Sequence, residues 1–366
     1  MKILYVVHDM YVGGVATIVN NLMHGMRNKD NEVHLIILKD TVPEIEILCD
    51  NVNVLKIACK ADYLRGILKL KKLITKIDPD VIHSHTILAH ILVLLLKSTY
   101  YPNIRIVCTE HSSLTIEQNK SLIFKLFSWL SEKPDKITFV SNFSLNSYLE
   151  KNIIHSKVKS EVIYNGVYNE KEDLENIRKI KKCYDISESC TTFCYIGRIS
   201  PEKNIEMMLS AFSLLNSSDI RLLIVGDGNA KYVRELIGLS KSLGLNNVRF
   251  LGYRSDIVDI IKSVDCLLLS SIVEGLPTVV IETYSKKKIA ISTICGGVEE
   301  VIRDSRFLSE NNNEYDFADR ISFYLNLRDK EKELISNQNY LIYKKYFDIS
   351  IMVDNYYLLY QGIIND

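Results

Sequence analysis

The stretch KILYVVH, Lys2–His8, is followed across the glycine pair Gly13–Gly14 by apolar residues at Val15, Ile18, Val19, Leu22, Met23 and Met26. A short β-branched run and then a one-faced period of 3.6 predict a strand feeding an amphipathic helix. The same rhythm continues outward. EVHLIIL, DVIHSH, IRIVCTE, KITFVS and SEVIYNG read as further strands. Helices are expected near Leu64–Ile77, Ile87–Lys97, Ser121–Ser131 and Ser144–Glu150. Such alternation predicts a parallel sheet covered on both faces.

The rhythm pauses at Tyr168–Cys190, a charged stretch poor in large apolar residues, and restarts with TTFCYIGR, IRLLIVGDG, NVRFLGY, VDCLLLS and KIAIST. Two doubly wound α/β domains are therefore expected. Residues 1–168 form the first, 169–190 a linker with a surface helix, and 191–348 the second. From about Asn313 to Asp366 the chain reads as helices only. Its aromatic end, 349–366, is expected to return to the first domain.

The chain has 366 residues, 47% hydrophobic and 25% charged, with Lys+Arg and Asp+Glu both at 45. That suits about two globular domains and excludes a disordered or fibrous chain. Zero net charge gives no general footprint for nucleic acid. The eight cysteines include no C-x-x-C pair, so they read as reduced, buried thiols of a cytoplasmic protein. MKILYVVHDM is too short and too polar for a signal peptide. The longest apolar run, Ile87–Leu96, is too short to span a membrane. Charge is nevertheless uneven. Up to Tyr168 there are 20 Lys+Arg against 16 Asp+Glu. Arg65, Lys69, Lys72 and Lys76 fall on one helical stripe, with Leu64, Leu68 and Leu73 off it. KSLIFKLFSWL at Lys120–Leu130 holds Phe124, Phe127 and Trp129, the only tryptophan. Such a pair of segments suits peripheral contact with anionic lipid, and equally a solvated helix face beside ordinary core aromatics.

Three strand ends carry candidate chemistry. Gly13–Gly14 leave backbone open to an anion at a helix start. GRISPEKN, Gly197–Asn204, puts Arg198 and Lys203 at the end of the second domain's first strand, where open α/β sheets bind ligands. Pro201 and Glu202 read as a helix start capped by Ser200. SSIVEGLPTVVIE, Ser270–Glu282, sets Glu274 and Glu282 eight residues apart. Pro277 suits a first helical turn, which leaves the amides of Leu276, Thr278 and Val279 free for an anion. His83, His85 and His111 end two first-domain strands. His111 reads as a hydrogen-bonding or proton-handling group, with a three-histidine metal site the weaker alternative.

In order along the chain, Gly13–Gly14, DVIHSH, TEHSS, VSNFS, IYNGV, IGRISPEKN, LLIVGDG, and EGLPTVVIE followed by GGVEEVI resemble the retaining GT-B glycosyltransferases of family 4. The similarity is greatest to the branch that builds bacterial capsule, exopolysaccharide and O-antigen. The resemblance implies two Rossmann-like domains facing a cleft, with a nucleotide-sugar donor held mainly by the second. It implies that Arg198 and Lys203 bind the diphosphate, Glu274 the transferred sugar and Glu282 the ribose. Leu276, Thr278 and Val279 would line phosphate and sugar, and Gly14 and His111 would face the reacting centre. Tyr253 and Arg254 would lie near the base. No metal and no other cofactor is expected, a UDP-sugar is favoured, and the acceptor is expected to be a growing, lipid-linked glycan. Two departures stand out. Lys287 and Ile289 replace a usual glycine and proline, and Tyr168 replaces a usual acid. The departure at Lys287 and Ile289 keeps open a non-catalytic GT-B subunit that regulates a partner; a third reading is another GT-B enzyme, a sugar-nucleotide epimerase.

Overall fold

A computed structural model describes residues 1–11, 13–39, 46–57, 62–113, 122–187, 189–215 and 219–366, with positions 63 and 64 by backbone alone. Cys59, Lys120, Ser121 and the side chain of Leu64 lie outside the described residues. The chain divides into two units, Met1–Gly166 with Ile349–Asp366, and Val167–Asp348.

The first unit runs β1 (Lys2–Val7), α1 (Gly14–Arg27), β2 (Glu32–Ile37), β3 (Asn51–Val54), α2 (Tyr63–Ile77), β4 (Val81–His85), α3 (Ile87–Thr99), β5 (Arg105–Glu110), α4 (Leu122–Leu130), β6 (Lys136–Phe139), α5 (Asn142–Glu150) and β7 (Ser160–Val162). All strand pairs are parallel, in the order β3-β2-β1-β4-β5-β6-β7. Ile3, Leu4, Val6, Val33, Ile36, Val81, Ile82, Ile106 and Val107 are buried, as a sheet covered on both faces requires. Each such side chain contributes about 1.5–3 kcal/mol on burial. In α1, Ile18, Val19, Leu22, Met23 and Met26 point inward as the period predicts. Val15, the second residue of α1, is exposed.

The second unit runs α6 (Leu174–Cys183), β8 (Thr191–Ile196), α7 (Ile205–Ser213), β9 (Ile220–Val225), α8 (Ala230–Ser242), β10 (Val248–Gly252), α9 (Ile257–Ser263), β11 (Cys266–Leu269), α10 (Thr278–Ser285), β12 (Ile289–Thr293), α11 (Val298–Val301), β13 (Leu308–Ser309), α12 (Glu314–Leu325) and α13 (Asp329–Ile342). Its parallel strands follow the order β10-β9-β8-β11-β12-β13. Asp173 caps α6 through the amides of Glu175 and Asn176, and Ile177 and Ile180 bury its inner face. The described cysteines are free thiols. Cys183 is exposed rather than buried, because it falls on the outer side of α6.

A π-helical turn, Tyr343–Phe347, precedes α14 (Ile349–Asn365), which belongs to the first unit and packs on α1. Two tyrosines fix it there. Tyr356 Oη meets Thr109 Oγ1 at 3.0 Å and Thr138 Oγ1 at 3.1 Å, and Tyr360 Oη meets His83 Nδ1 at 2.5 Å. These hydroxyls are buried, so each bond spares an orphaned polar group.

Candidate active site

In the second unit β8 and β11 are neighbours, and the strand order runs away from them in opposite directions. The strand ends beside such a switch point are where open α/β sheets bind ligands. The segment after β8 holds Arg198 and Lys203, and the segment after β11 holds Glu274. They meet. Lys203 Nζ lies 2.5 Å from Glu274 Oε1, which also accepts from Ser271 Oγ at 2.6 Å. Ser270 Oγ donates to the Lys203 carbonyl at 2.8 Å, and the Ile272 amide to the Glu202 carbonyl at 2.9 Å. Thr293 Oγ1 on β12 donates to the Ser271 carbonyl. Backbone and hydroxyls therefore fix the cation against the carboxylate. Arg198 is exposed and pairs with Glu202 at 2.7 Å. A solvated pair of this kind is weak and readily exchanged for an anionic ligand.

The sequence reading needs two local corrections. Pro201–Lys203 is a single 3-10 turn, and Ser200 makes no cap hydrogen bond. The α-helix begins only at Ile205, because Asn204 takes a left-handed conformation (φ 48°) between the two. Pro277 is the N-cap of α10 rather than its first residue. Among the described residues, the amides of Leu276, Thr278 and Val279 have no acceptor, as expected at a helix start. Four helical steps beyond Thr278, Glu282 is partly buried; its backbone carbonyl accepts from Ser285 Oγ at 2.7 Å, and its carboxylate accepts no hydrogen bond from the described residues. Burial, and next the nearby Glu170, push its carboxyl up to about 7. Gly296 presses on this turn. Its φ is +60°, and a Cβ there would lie 1.7 Å from the Glu274 carbonyl oxygen. The Gly297 amide then donates to the Gly275 carbonyl at 3.1 Å.

In the first unit the switch point lies between β1 and β4. Gly14 opens α1 on one side, with Gly13 as its N-cap. On the other side His85 Nδ1 meets His111 Nε2 at 2.8 Å. Burial, and then neighbouring histidines, hold both rings well below the usual imidazole range, His111 at about 3. Both are therefore neutral at pH 7. His83 uses both ring nitrogens, on Tyr360 and on Thr109, at 2.5 Å each. It has none left for a metal, and among the described residues no group of three His, Cys, Asp or Glu could hold one. Deeper in the unit, His90 Nε2 lies 3.0 Å from Glu110 Oε1. Burial opposes charging His90, but Cys108 and Glu110 outweigh it and lift the imidazole to about 10.

Two family models match this chain. Glycosyltransferase Family 4 matches residues 12–171, and Glycosyl transferases group 1 matches residues 176–339. The chain belongs to these glycosyltransferases. It is 24% identical to N-acetyl-alpha-D-glucosaminyl L-malate synthase of Bacillus anthracis over 97% of this chain and 95% of that one. It is 26% identical to the capsular polysaccharide biosynthesis glycosyltransferase CapH of Staphylococcus aureus, over 65% and 67%. Its fold is that of Anabaena Alr3699/HepE in complex with UDP, with TM-score 0.85 and 19% identity over 99% and 100% of the chains. Two Rossmann-like domains of this kind make the GT-B fold.

Within this glycosyltransferase the other residues singled out from sequence fall as follows. Tyr253 is exposed just beyond β10, at the carboxyl end of the edge strand of the same parallel sheet whose β8 precedes Lys203. Arg254 holds Asp256 with two bonds, at 2.8 and 2.6 Å, so its guanidinium is engaged. Arg65, Lys69, Lys72 and Lys76 are all exposed along α2, and Leu68 lies exposed among them rather than off their stripe. Trp129 is 70% exposed and is no core residue, whereas Phe127 is fully buried. The departure at Lys287 has a structural account. Lys287 takes φ 54° in the turn from α10 to β12, the conformation that favours glycine. Ile289 is buried as the first residue of β12. Both are features of a helix-to-strand turn. The hydroxyls of Ser270 and Ser271 and the His85–His111 pairing escaped sequence reading. Serines are common at strand ends, and nothing in spacing says which side chain a hydroxyl or a ring will meet.

Proposed function

We propose that this glycosyltransferase moves a sugar, with retention, from a UDP-sugar to a lipid-linked bacterial surface glycan, without a metal. The observation that carries it is the Lys203–Glu274 contact at the β8/β11 switch point, beside the open amides of α10. Departure of a nucleoside diphosphate builds negative charge. Arg198, Lys203 and the amides of Leu276, Thr278 and Val279 stabilise it where a metal otherwise would. Glu274, released from Lys203 when the diphosphate takes the cation, accepts from sugar hydroxyls. Glu282 accepts from the ribose. Gly14 and His111 serve the transfer from the first unit, and Tyr253 and Arg254 flank the base. Attack from the face that the diphosphate leaves retains configuration. The test is the anomeric configuration of the product, by NMR, from transfer run in excess EDTA. An α-linked product from an α-linked donor is expected. An inverted product, or activity restored only by Mg²⁺, would overturn retention or metal independence respectively.

Glu282 gives the donor site a pH dependence. Its carboxyl is raised to about 7, above an ordinary unfolded value near 4.5. Folding therefore favours the protonated form. The stability it lends is complete below about pH 4.5 and is lost as pH rises through 7. A ribose hydroxyl donates to the ionised form, so binding expels a proton. UDP affinity, measured by calorimetry, should rise between pH 6 and pH 8. The rise should exceed that of Glu282→Gln, and the wild type alone should lose apo stability over that range. An identical pH response in the variant would remove Glu282 from the site.

The enzyme works at the inner face of the cell membrane. The exposed stripe of Arg65, Lys69, Lys72 and Lys76 on α2 supports this. So does the outer face of α4, where Leu122, Ile123, Leu126 and Trp129 are exposed while Phe127 and Leu130 are buried. Both helices neighbour α3. Each basic residue near an anionic surface adds about 1 kcal/mol. No described helix is long and apolar enough to cross a membrane. As the only tryptophan, Trp129 reports docking directly. Its emission should shift to the blue on vesicles containing phosphatidylglycerol, and the shift should fade in high salt and in Lys69→Glu/Lys72→Glu. Emission indifferent to anionic vesicles at low salt would contradict membrane contact.

A further inference from the structure

We infer that His85 is a positioning residue that sets the tautomer of His111, so that His111 presents an Nδ1–H donor to the ligand. The inference rests on the proposed role of His111 in transfer. His85 ends β4 and is almost wholly buried. Its Nδ1 lies 2.8 Å from Nε2 of His111, which follows β5. The two outward nitrogens, His85 Nε2 and His111 Nδ1, are both buried and have no partner among the described residues. Such orphaned polar atoms mark a role that the folded chain alone does not fill.

A neutral imidazole carries one proton. Sharing one hydrogen bond, the pair has two states. If His85 Nδ1–H donates, His111 must carry its own proton on Nδ1, and His85 Nε2 is a bare acceptor. If His111 Nε2–H donates, the roles reverse, and an N–H is stranded at His85 Nε2. The first state leaves its unpartnered N–H on His111 Nδ1 instead, on the ring nearer solvent, where a ligand can accept from it. His85 is the more buried of the two rings, so the first state is the cheaper. Its surroundings hold the His85 ring in place. The Tyr5 ring stacks on His85 at 5.9 Å and 13°, and the His83 ring lies 4.1 Å away. His83 is itself fixed at both nitrogens by Tyr360 and Thr109. Strands β1, β4 and β5 and helix α14 thus clamp the ring whose N–H orients His111.

Two-bond ¹H–¹⁵N correlation of the imidazoles in the full-length apo protein reads the tautomer without any turnover. His111 is expected as the Nδ1–H form. In His85→Leu it should drift toward the Nε2–H form, and transfer should fall about tenfold, the value of one ordered hydrogen bond. UDP affinity, a property of the second unit, should not change. His85→Asn, whose amide can donate from nearly the same place as Nδ1, should restore both tautomer and rate. His111 found as the Nε2–H form in the wild type overturns the inference, as does a tautomer unchanged in His85→Leu. If that variant does not fold, the wild-type spectrum and His85→Asn still decide. If the tautomer is as stated but His85→Leu transfers normally, the role given to His111 under the proposed function fails instead.

Discussion

Glu274→Gln should transfer sugar about 10²–10³-fold more slowly than the wild type while binding UDP at least as tightly, the size of effect seen when a preorganised transition-state contact is lost. In the apo protein the Glu274 carboxylate receives Lys203 Nζ and Ser271 Oγ on a single oxygen. An amide of the same shape cannot hold the ammonium as strongly. Lys203 is then freer to meet a diphosphate, so ground-state binding of UDP does not suffer. What is lost is the charged acceptor that turns to the sugar as the leaving group departs. UDP carries no sugar, so its affinity reads the diphosphate contacts, while kcat at saturating donor reads the contact of Glu274 with the transferred sugar. Stopped assays with saturating donor, beside calorimetry with UDP, separate the two. Transfer within a few-fold of wild type would remove Glu274 from the reacting sugar, and a wild type that transfers nothing would favour a non-catalytic subunit.

Gly296→Ala should cost about 3 kcal/mol, from a left-handed residue with a side chain and a forced shift of neighbouring backbone. Both causes are explicit. The residue has φ +60°, and its Cβ would sit 1.7 Å from the Glu274 carbonyl oxygen. That oxygen is backbone and has no rotamer to change, so the Glu274–Gly275 turn must move. Donor binding should weaken with stability. Gly238→Ala is a control of opposite sign. Gly238 lies within α8 and nothing stands within 4 Å of its Cβ position, so alanine should stabilise by about 0.5–1 kcal/mol. Urea denaturation of both variants measures the difference. Gly296→Ala as stable as wild type would mean that the GGV turn does not pack on Glu274.

The long strands were legible because a doubly covered parallel sheet writes itself as unbroken apolar runs, KILYVV and IRLLIV among them. Edge strands leave no such trace. Asn51–Val54 alternates polar and apolar on an exposed edge, and Leu308–Ser309 has two residues. Ladder bonds to a neighbour make them strands, and neither was expected. Helical period likewise placed Phe127 and Trp129 on α4 but could not say which face the sheet would cover. One turn differs from the expectation because backbone conformation overrides composition: Asn204, left-handed, interrupts the helix start at Pro201. Of the candidate site residues, Lys203 and Glu274 were legible as ends of neighbouring segments and the structure brings them together, whereas Arg198 pairs with Glu202. The contacts that orient those residues come from segments far apart in sequence, Ser270 beneath Lys203 and Gly296 against Glu274, and only the fold brings them together.

Calorimetric titration of UDP in excess EDTA, on the wild type and on Lys203→Ala, decides whether the β8/β11 strand ends form the donor site. Metal-free binding to the wild type is expected, with an affinity about 10²-fold lower in the variant, the value of a charge-assisted contact to phosphate. Binding that needs Mg²⁺, or that is indifferent to Lys203, would contradict a donor site built from Lys203, Glu274 and the start of α10.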